Sequence, residues 1–159
     1  MTILDFQETL KKEIGSVLSN SCIRKDENGN RISGVNTFKQ ELPIIMEDDE
    51  DVSQFFPYAI VRVLEGNTPE DDEPWIVTAN ILLALEDNST DRSGYLDILG
   101  MIQRVIDRFV SEPRLNEYYR ALQDIEWAIQ DEDTYPYYFG GVQIKFYLPK
   151  IGRREPDYG

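Results

Sequence analysis

Residues 135–149 read Tyr135-Pro136-Tyr137-Tyr138-Phe139-Gly140-Gly141-Val142-Gln143-Ile144-Lys145-Phe146-Tyr147-Leu148-Pro149. An aromatic turn, punctuated by proline and glycine, leads into a segment where apolar residues alternate with Gln143, Lys145 and Tyr147. Because successive side chains of a strand point to opposite faces, the alternation predicts a strand with one buried face. So many large apolar groups in one segment favour an assembly component over an enzyme.

The rest of the chain predicts two helices and further strands. Apolar residues at helical spacing indicate one helix near the amino terminus, with Thr2 and Asp5 as a capping box, and a second over 94–110. Strands are expected over 58–64, 75–86 and 119–130, and Asn28-Gly29 favours a hairpin turn, followed by an extended arm over 38–46. We expect an α+β fold, a mostly antiparallel sheet of four to five strands with two main helices packed on one face.

Length and charge limit the classes of function. The chain has 159 residues and a net charge of −14, which predicts one domain over 1–151, with a variable arm and acidic loop at 22–54 and a frayed tail at 152–159. The acidic balance disfavours tight binding of nucleic acid, since phosphates need cationic partners. No secretory signal or membrane span is evident, so we expect a soluble protein that stays in the cell that makes it.

The sequence offers little for catalysis or metal binding. Cys22 is the single cysteine and there is no histidine, so zinc patterns and Ser-His-Asp or Cys-His arrangements are excluded. The segment at 26–30 superficially resembles a calcium loop, but Arg31 replaces the required glycine and Thr37 the bidentate glutamate. We expect no catalytic residue, no metal, no cofactor and no enzyme activity.

Several segments together resemble a known family. They are Phe56-Pro57-Tyr58-Ala59-Ile60-Val61-Arg62, Ile76-Val77-Thr78-Ala79-Asn80-Ile81, Gly94-Tyr95-Leu96-Asp97, Ile102-Gln103-Arg104-Val105-Ile106 and Tyr135-Pro136-Tyr137-Tyr138-Phe139-Gly140. In these segments the chain resembles bacteriophage tail terminator proteins, also called tail-completion or minor tail proteins. The resemblance covers about residues 55–151, with Tyr138 where tryptophan is expected, and does not extend to residues 20–54.

The resemblance implies a role in virion assembly. It implies a small subunit that forms a ring, typically six-fold, on the head-proximal end of the tail tube, where it ends tube polymerisation. Its partners would be other copies of itself, the tail tube protein, a neck or head-connector protein and, in a contractile tail, the sheath protein. No cofactor is implied, and the place of action would be the bacterial host cytoplasm during assembly, then the virion or a tail-like particle.

Two sets of residues are candidates for such contacts. Aromatic anchors for a subunit or partner interface are Tyr137, Tyr138, Phe139 and Tyr147, although residues 137–139 could equally seal the end of the chain's own core. Acidic residues that could line the lumen or rim of a ring are Glu47, Asp48, Asp49, Glu50, Asp51, Glu70, Asp71, Asp72 and Glu73. In a lumen they would let DNA pass without specific binding, and on a rim they would steer docking to a basic surface. The 22–46 arm is expected to reorder on docking to the tube.

Two alternatives stay open. A head–tail connector or neck subunit would have a similar size and would also form a ring, but it would lie on the head side of the joint. More remotely, an acidic DNA-mimic inhibitor would exploit the net charge of −14, but it needs carboxylates ordered along one face.

Overall fold

The computed structural model describes residues 2–21, 24–25, 31–44, 52–70 and 73–149. Within these residues, two helices, α1 (Ile3–Val17) and α2 (Gly94–Ser111), combine with eight strands in an α+β architecture. The strands are β1 (Arg24–Lys25), β2 (Arg31–Ile32), β3 (Asn36–Lys39), β4 (Tyr58–Asn67), β5 (Trp75–Glu86), β6 (Arg120–Ala121), β7 (Glu126–Ile129) and β8 (Tyr137–Leu148). A 3-10 turn, Val52–Phe55, precedes β4.

Helix α1 begins with the capping box that the sequence predicts. The Asp5 N–H donates to the Thr2 hydroxyl at 3.1 Å, and the Thr2 N–H donates to the Asp5 carboxylate at 3.0 Å. Two backbone donors that the first turn leaves unsatisfied thus find partners. The apolar stripe of Phe6, Leu10 and Ile14 is buried.

Helix α2 carries the stronger amphipathic pattern and is tied to α1 by an ion pair. Its N-cap, Ser93, makes no side-chain capping hydrogen bond, so packing of the apolar stripe stabilises the helix more than its cap does. In its last turn, the Arg108 guanidinium donates to the Glu13 carboxylate of α1 at 2.6 Å. The buried residues of both helices belong to one core cluster, which also contains inward residues of β4, β5 and β8.

Six of the described strands form the main sheet, in the order β3-β4-β5-β8-β6, and β7 also pairs with β8. The β3–β4 pair is parallel, and the other pairs are antiparallel. Strand β8 pairs with β5 along its whole length, from Glu86 opposite Tyr137 to Trp75 opposite Leu148. The alternating segment that predicts the fold is therefore a central strand.

The sheet has one strand more than the four to five expected. Strand β3 overlaps the predicted 38–46 arm only at Phe38 and Lys39, and the sixth strand arises because the single strand predicted over 119–130 is interrupted. Ala121 lies opposite Phe146 and Glu126 opposite Gln143, so five steps on the edge face three steps on β8. The two extra residues form a bulge that separates β6 from β7.

Some predicted elements lie at or beyond the described residues. Strands β1 and β2 pair antiparallel, as the Asn28-Gly29 hairpin requires, but the turn itself lies outside the described residues. The acidic run at 47–51 and the tail at 152–159 lie outside them too. Within the described residues, neither helix is sufficiently long and apolar to span a membrane.

Candidate interaction surface

The pleat of the sheet gives it a second face, which points away from the core cluster shared by the helices. Directly opposite residues of neighbouring strands share a face, so the register defines this second face row by row. At one end, Tyr58, Ala84 and Phe139 form an apolar row, and the middle row is polar, with Arg62, Asn80, Gln143 and Glu126. At the other end, Ile76, Tyr147 and Arg120 lie side by side.

An aromatic cluster occupies the apolar end of this face. The ring of Phe56 stacks on Tyr137, and it also meets Tyr58 and Phe139 at centroid distances of 4.9 and 6.2 Å. The cluster consists of Phe38, Phe55, Phe56, Tyr58, Tyr137 and Phe139. Burial raises the pKa of the Tyr58 hydroxyl above its ordinary value.

A groove of about 440 Å³ runs beside the cluster, over β5, β7 and β8. Gly141 and Ala128, which are opposite each other, form its floor, because neither side chain fills the space above the sheet. One end is apolar, with Leu82 and Phe139, and the other carries the amides of Asn80 and Gln143 with the carboxylate of Glu126. Its described lining includes no nucleophilic or cationic side chain, so its chemistry suits contact with another surface.

The structure separates the four predicted aromatic anchors. Tyr137 and Phe139 are half-buried in the aromatic cluster, and Tyr147 is half-buried eight residues further along β8 on the same face, about 26 Å away. Tyr138 points to the opposite face, is only 7% exposed and belongs to the core cluster shared by the helices. Three of the four residues therefore retain surface on the second face, at its two ends.

Tyr138 is held by close packing against the start of α2. A Cβ added to Gly94 would lie 2.4 Å from the Tyr138 ring, so only glycine lets the helix begin against this ring. Gly140 allows a similar close approach to the next turn of α2, where an added Cβ would lie 2.6 Å from Cγ2 of Ile98. The aromatic start of β8 thus fixes the position of α2 on the sheet.

The predicted acidic residues divide between the two ends of the sheet. Glu70 and Glu73 are exposed in the β4–β5 loop, at the end where β8 finishes, and the Glu73 N–H donates to the Glu70 C=O at 2.8 Å. The remaining acidic candidates lie outside the described residues: Glu47, Asp48, Asp49, Glu50, Asp51, Asp71 and Asp72. The turn that follows the 47–51 run, Val52–Phe55, contacts the aromatic cluster at the other end, about 36 Å away along β5.

Sequence reasoning misses the exposure of β7. Alternation over residues 124–130 predicts one apolar face with Ile125, Trp127 and Ile129. Trp127 and Ile129 lie opposite Val142 and Gly140, yet Trp127 is 54% exposed and Ile129 38%. A signal was available, because residues 124–133 contain five carboxylates and no basic residue, a composition typical of a solvated edge.

Comparisons with protein-family models and with curated proteins give no match for this chain. In the ranges that the structure describes, no group of three or more metal-ligating side chains is close enough to hold an ion.

Proposed function

We propose that this chain is a structural subunit of a phage, prophage or tail-like particle, which forms a ring of six copies on the head-proximal end of the tail tube. The ring ends tube polymerisation and presents the surface on which the neck or head connector docks. The resemblance described from the sequence supplies this role, and the second face of the sheet supplies the contact surface.

One observation carries the proposal. Two segments that carry the resemblance, Phe56-Pro57-Tyr58 and the most characteristic one, Tyr135–Gly140, lie about eighty residues apart in sequence, and they meet in the aromatic cluster. Chance similarity in two short segments gives no reason for them to be neighbours in space. Their contact indicates one structural unit, which the resemblance describes as a whole.

The proposed placement of the helices explains why a surface is left for assembly. We infer that α1 and α2 both cover one face of the sheet, since their buried residues share one core cluster with Val61, Ile81 and Ile144. Among the described residues, Phe55 and Leu42 pack on the aromatic end of the second face, and Glu41 pairs with Arg62 in its middle row. The groove and Tyr147 are available there for a neighbouring copy or for the tube.

Charge fits the passage of DNA through such a ring. Six copies of a chain with a net charge of −14 repel a phosphate backbone wherever the carboxylates line the hole. The exposed Glu70 and Glu73 mark one end of the sheet as acidic, and the aromatic cluster marks the other as apolar. We propose that these two ends meet different partners.

Sedimentation velocity and negatively stained images of the purified protein test this function. We expect six-fold rings with a central hole, and we expect added protein to cap one end of preformed tail tubes and stop their elongation. Tubes given only more tube protein are the control. A strictly monomeric chain, with and without tubes, would contradict the proposal, and binding to a portal-side adaptor instead of the tube would identify a connector.

A further inference from the structure

Strand β3, with four residues, lies at one margin of the described sheet. The other margin is shared by β6, with two residues, and β7, with four. Three strands, β4, β5 and β8, separate them, which places the two edges about 19 Å apart. Edges on opposite margins of one sheet can serve a head-to-tail contact between copies.

The outer margin of β7 offers backbone groups and apolar side chains together. The Gln130 N–H donates to the Phe139 C=O at 3.1 Å. This hydrogen bond shows that the even-numbered residues of this edge direct their backbone groups inward to β8. Because inward-bonded and outward-pointing residues alternate in an antiparallel pair, Trp127 and Ile129 direct their N–H and C=O groups outward. These two residues also have the exposed apolar side chains, so the edge carries both main-chain and apolar binding groups.

On the outer margin of β3, every second residue likewise points its backbone N–H away from the sheet. The Asn36 N–H donates to the Pro57 C=O at 2.9 Å and the Gln40 N–H to the Val61 C=O at 3.1 Å, so Thr37 and Lys39 point their N–H groups outward. The Thr37 side chain packs over Gly15 of α1 and that of Lys39 pairs with Glu8 at 2.9 Å. The side chains beside this edge are therefore fixed by α1.

Charge favours contact of β7 with β3 over contact of β7 with itself. Residues 124–133 carry five carboxylates and no basic residue. The charged residue of β3 is Lys39, whose ammonium group pairs with Glu8, so this edge adds no excess of negative charge. Two copies of the β7 edge would bring like charges together, and β7 against β3 avoids that repulsion.

The geometry points to a head-to-tail contact in which β7 of one copy pairs with β3 of the next and makes the sheet continuous from subunit to subunit. Strand β3 runs parallel to β4 and β7 runs opposite to β8, so copies related by rotation about an axis along the strands meet antiparallel. Antiparallel pairing is the more stable arrangement. This interface rests on the proposed ring and names the surface that closes it.

Two proline variants test the interface. Ile129→Pro and Thr37→Pro each remove one outward N–H, so neither breaks the described sheet, and each blocks one edge. Ile129→Thr and Thr37→Val keep the N–H and are the matched controls. We expect each proline variant to self-associate roughly tenfold more weakly or worse by sedimentation velocity, with circular dichroism and the unfolding temperature close to those of the wild type.

Mixing the two proline variants gives the sharpest outcome. The Ile129→Pro copy keeps a free β3 and the Thr37→Pro copy keeps a free β7, so a one-to-one mixture should form heterodimers and nothing larger. If Thr37→Pro dimerises alone and Ile129→Pro does not, β7 pairs with itself and the inference is wrong. Rings in both proline variants would overturn this interface but leave the proposed function intact, and a wild type that is monomeric throughout would count against both.

Crosslinking gives a readout that does not depend on proline. In a Cys22→Ser background, Trp127→Cys and Thr37→Cys in the same chain place thiols on opposite edges, too far apart for a short bis-maleimide to join within one copy. We expect a ladder of linked chains that ends at the ring size. Each single cysteine variant should give at most dimers, and a double variant without a ladder would refute the contact.

Discussion

The ring of Phe56 lies flat against the ring of Tyr137, with centroids 5.0 Å apart and planes inclined by 27°. The first residue precedes β4 and the second opens β8, two strands that do not touch because β5 runs between them. The stacked pair therefore bridges β5 at the aromatic end of the second face. It joins the segment before β4 to the start of β8, which positions α2.

Truncation of the stacked pair should show coupled losses of stability. We expect Phe56→Ala and Tyr137→Ala each to lower the free energy of unfolding by about 2 kcal/mol, since both rings are half-buried. The double variant should lose less than the sum by about 1 kcal/mol, the value of an aromatic pair. Chemical denaturation measures all three, and Tyr137→Phe, which keeps the ring, is the control. Strict additivity would show that the rings do not support each other.

A methyl group at Gly140 should destabilise the protein, and one at Gly100 should not. A Cβ at Gly140 would lie 2.6 Å from Cγ2 of Ile98, so Gly140→Ala forces apart β8 and α2 and should cost about 1–3 kcal/mol. At Gly100 no atom lies within 4 Å of the added Cβ, and Gly100→Ala should stabilise α2 by about 0.5–1 kcal/mol. Thermal unfolding of the two variants compares them, and shifts of the same sign would contradict the described packing.

The ion pair between the two helices should contribute more to the free energy of unfolding than an ion pair on the surface does. Arg108 bonds to Glu13 at 2.6 Å and also donates to the Glu112 and Arg114 C=O groups, so it joins α1, α2 and the loop after α2. We expect Glu13→Gln to cost about 1 kcal/mol. The exposed Arg114–Glu112 pair is the control, and Arg114→Gln should leave the free energy of unfolding unchanged within the error of the measurement. Equal changes in the free energy of unfolding for Glu13→Gln and Arg114→Gln would show that the Arg108–Glu13 pair contributes no more than a surface pair.

The capping box should contribute to the acid sensitivity of the fold. Hydrogen bonds from the Thr2 backbone and side chain lower the pKa of Asp5 below its usual 3.8. A carboxyl whose pKa is lower in the folded state stabilises above its unfolded pKa, and that stabilisation is lost as pH falls through the folded value. Unfolding temperatures measured from pH 6 to pH 2 should therefore fall less steeply in Asp5→Asn than in the wild type, with Asp124→Asn, on an exposed carboxylate, as the control. Identical slopes for all three proteins would contradict the role of the box.

Reversal of charge in the β4–β5 loop should reveal whether DNA meets it. We expect rings of a Glu70→Lys, Glu73→Lys variant to bind duplex DNA with strong dependence on salt, because the added cations contact phosphates. The neutral variant Glu70→Gln, Glu73→Gln should bind far less. Fluorescence anisotropy at several salt concentrations compares them, and no gain in binding for the lysine variant would place the loop away from the DNA path.

Sequence predicts those elements whose signal is local. The alternation in 142–148 predicts the second part of β8, although the strand begins five residues earlier, at Tyr137, in a segment predicted as a turn. The Thr2 and Asp5 pair predicts the start of α1, and the stripe over 94–110 predicts α2 within a residue. Strand β3 is not visible in this way, because its four residues are mostly polar and it is held by a parallel pairing with distant β4. Alternation likewise predicts that Trp127 and Ile129 share a face. Whether that face is buried depends on how far the helices extend over the edge of the sheet, and alternation carries no information on this.

The candidate surface is predictable only partly, for the same reason. An aromatic turn before a strand indicates contacts, but the pleat decides that Tyr137 and Phe139 face one way and Tyr138 the other. The meeting of Phe56 with Tyr137 depends on the strand order β4-β5-β8, which no local pattern encodes. Whether these rings contact another copy stays a prediction.

The bulge between Ala121 and Glu126 has a consequence for the behaviour of the free chain in a crowded cell. A continuous twelve-residue margin beside β8 would be a long, flat template for aggregation and fibril growth. By offsetting the register by two residues, the bulge leaves only a four-residue stub of open ladder, flanked by carboxylates. We expect such a short, carboxylate-flanked stub to recruit unfolded neighbours less readily than a continuous edge would.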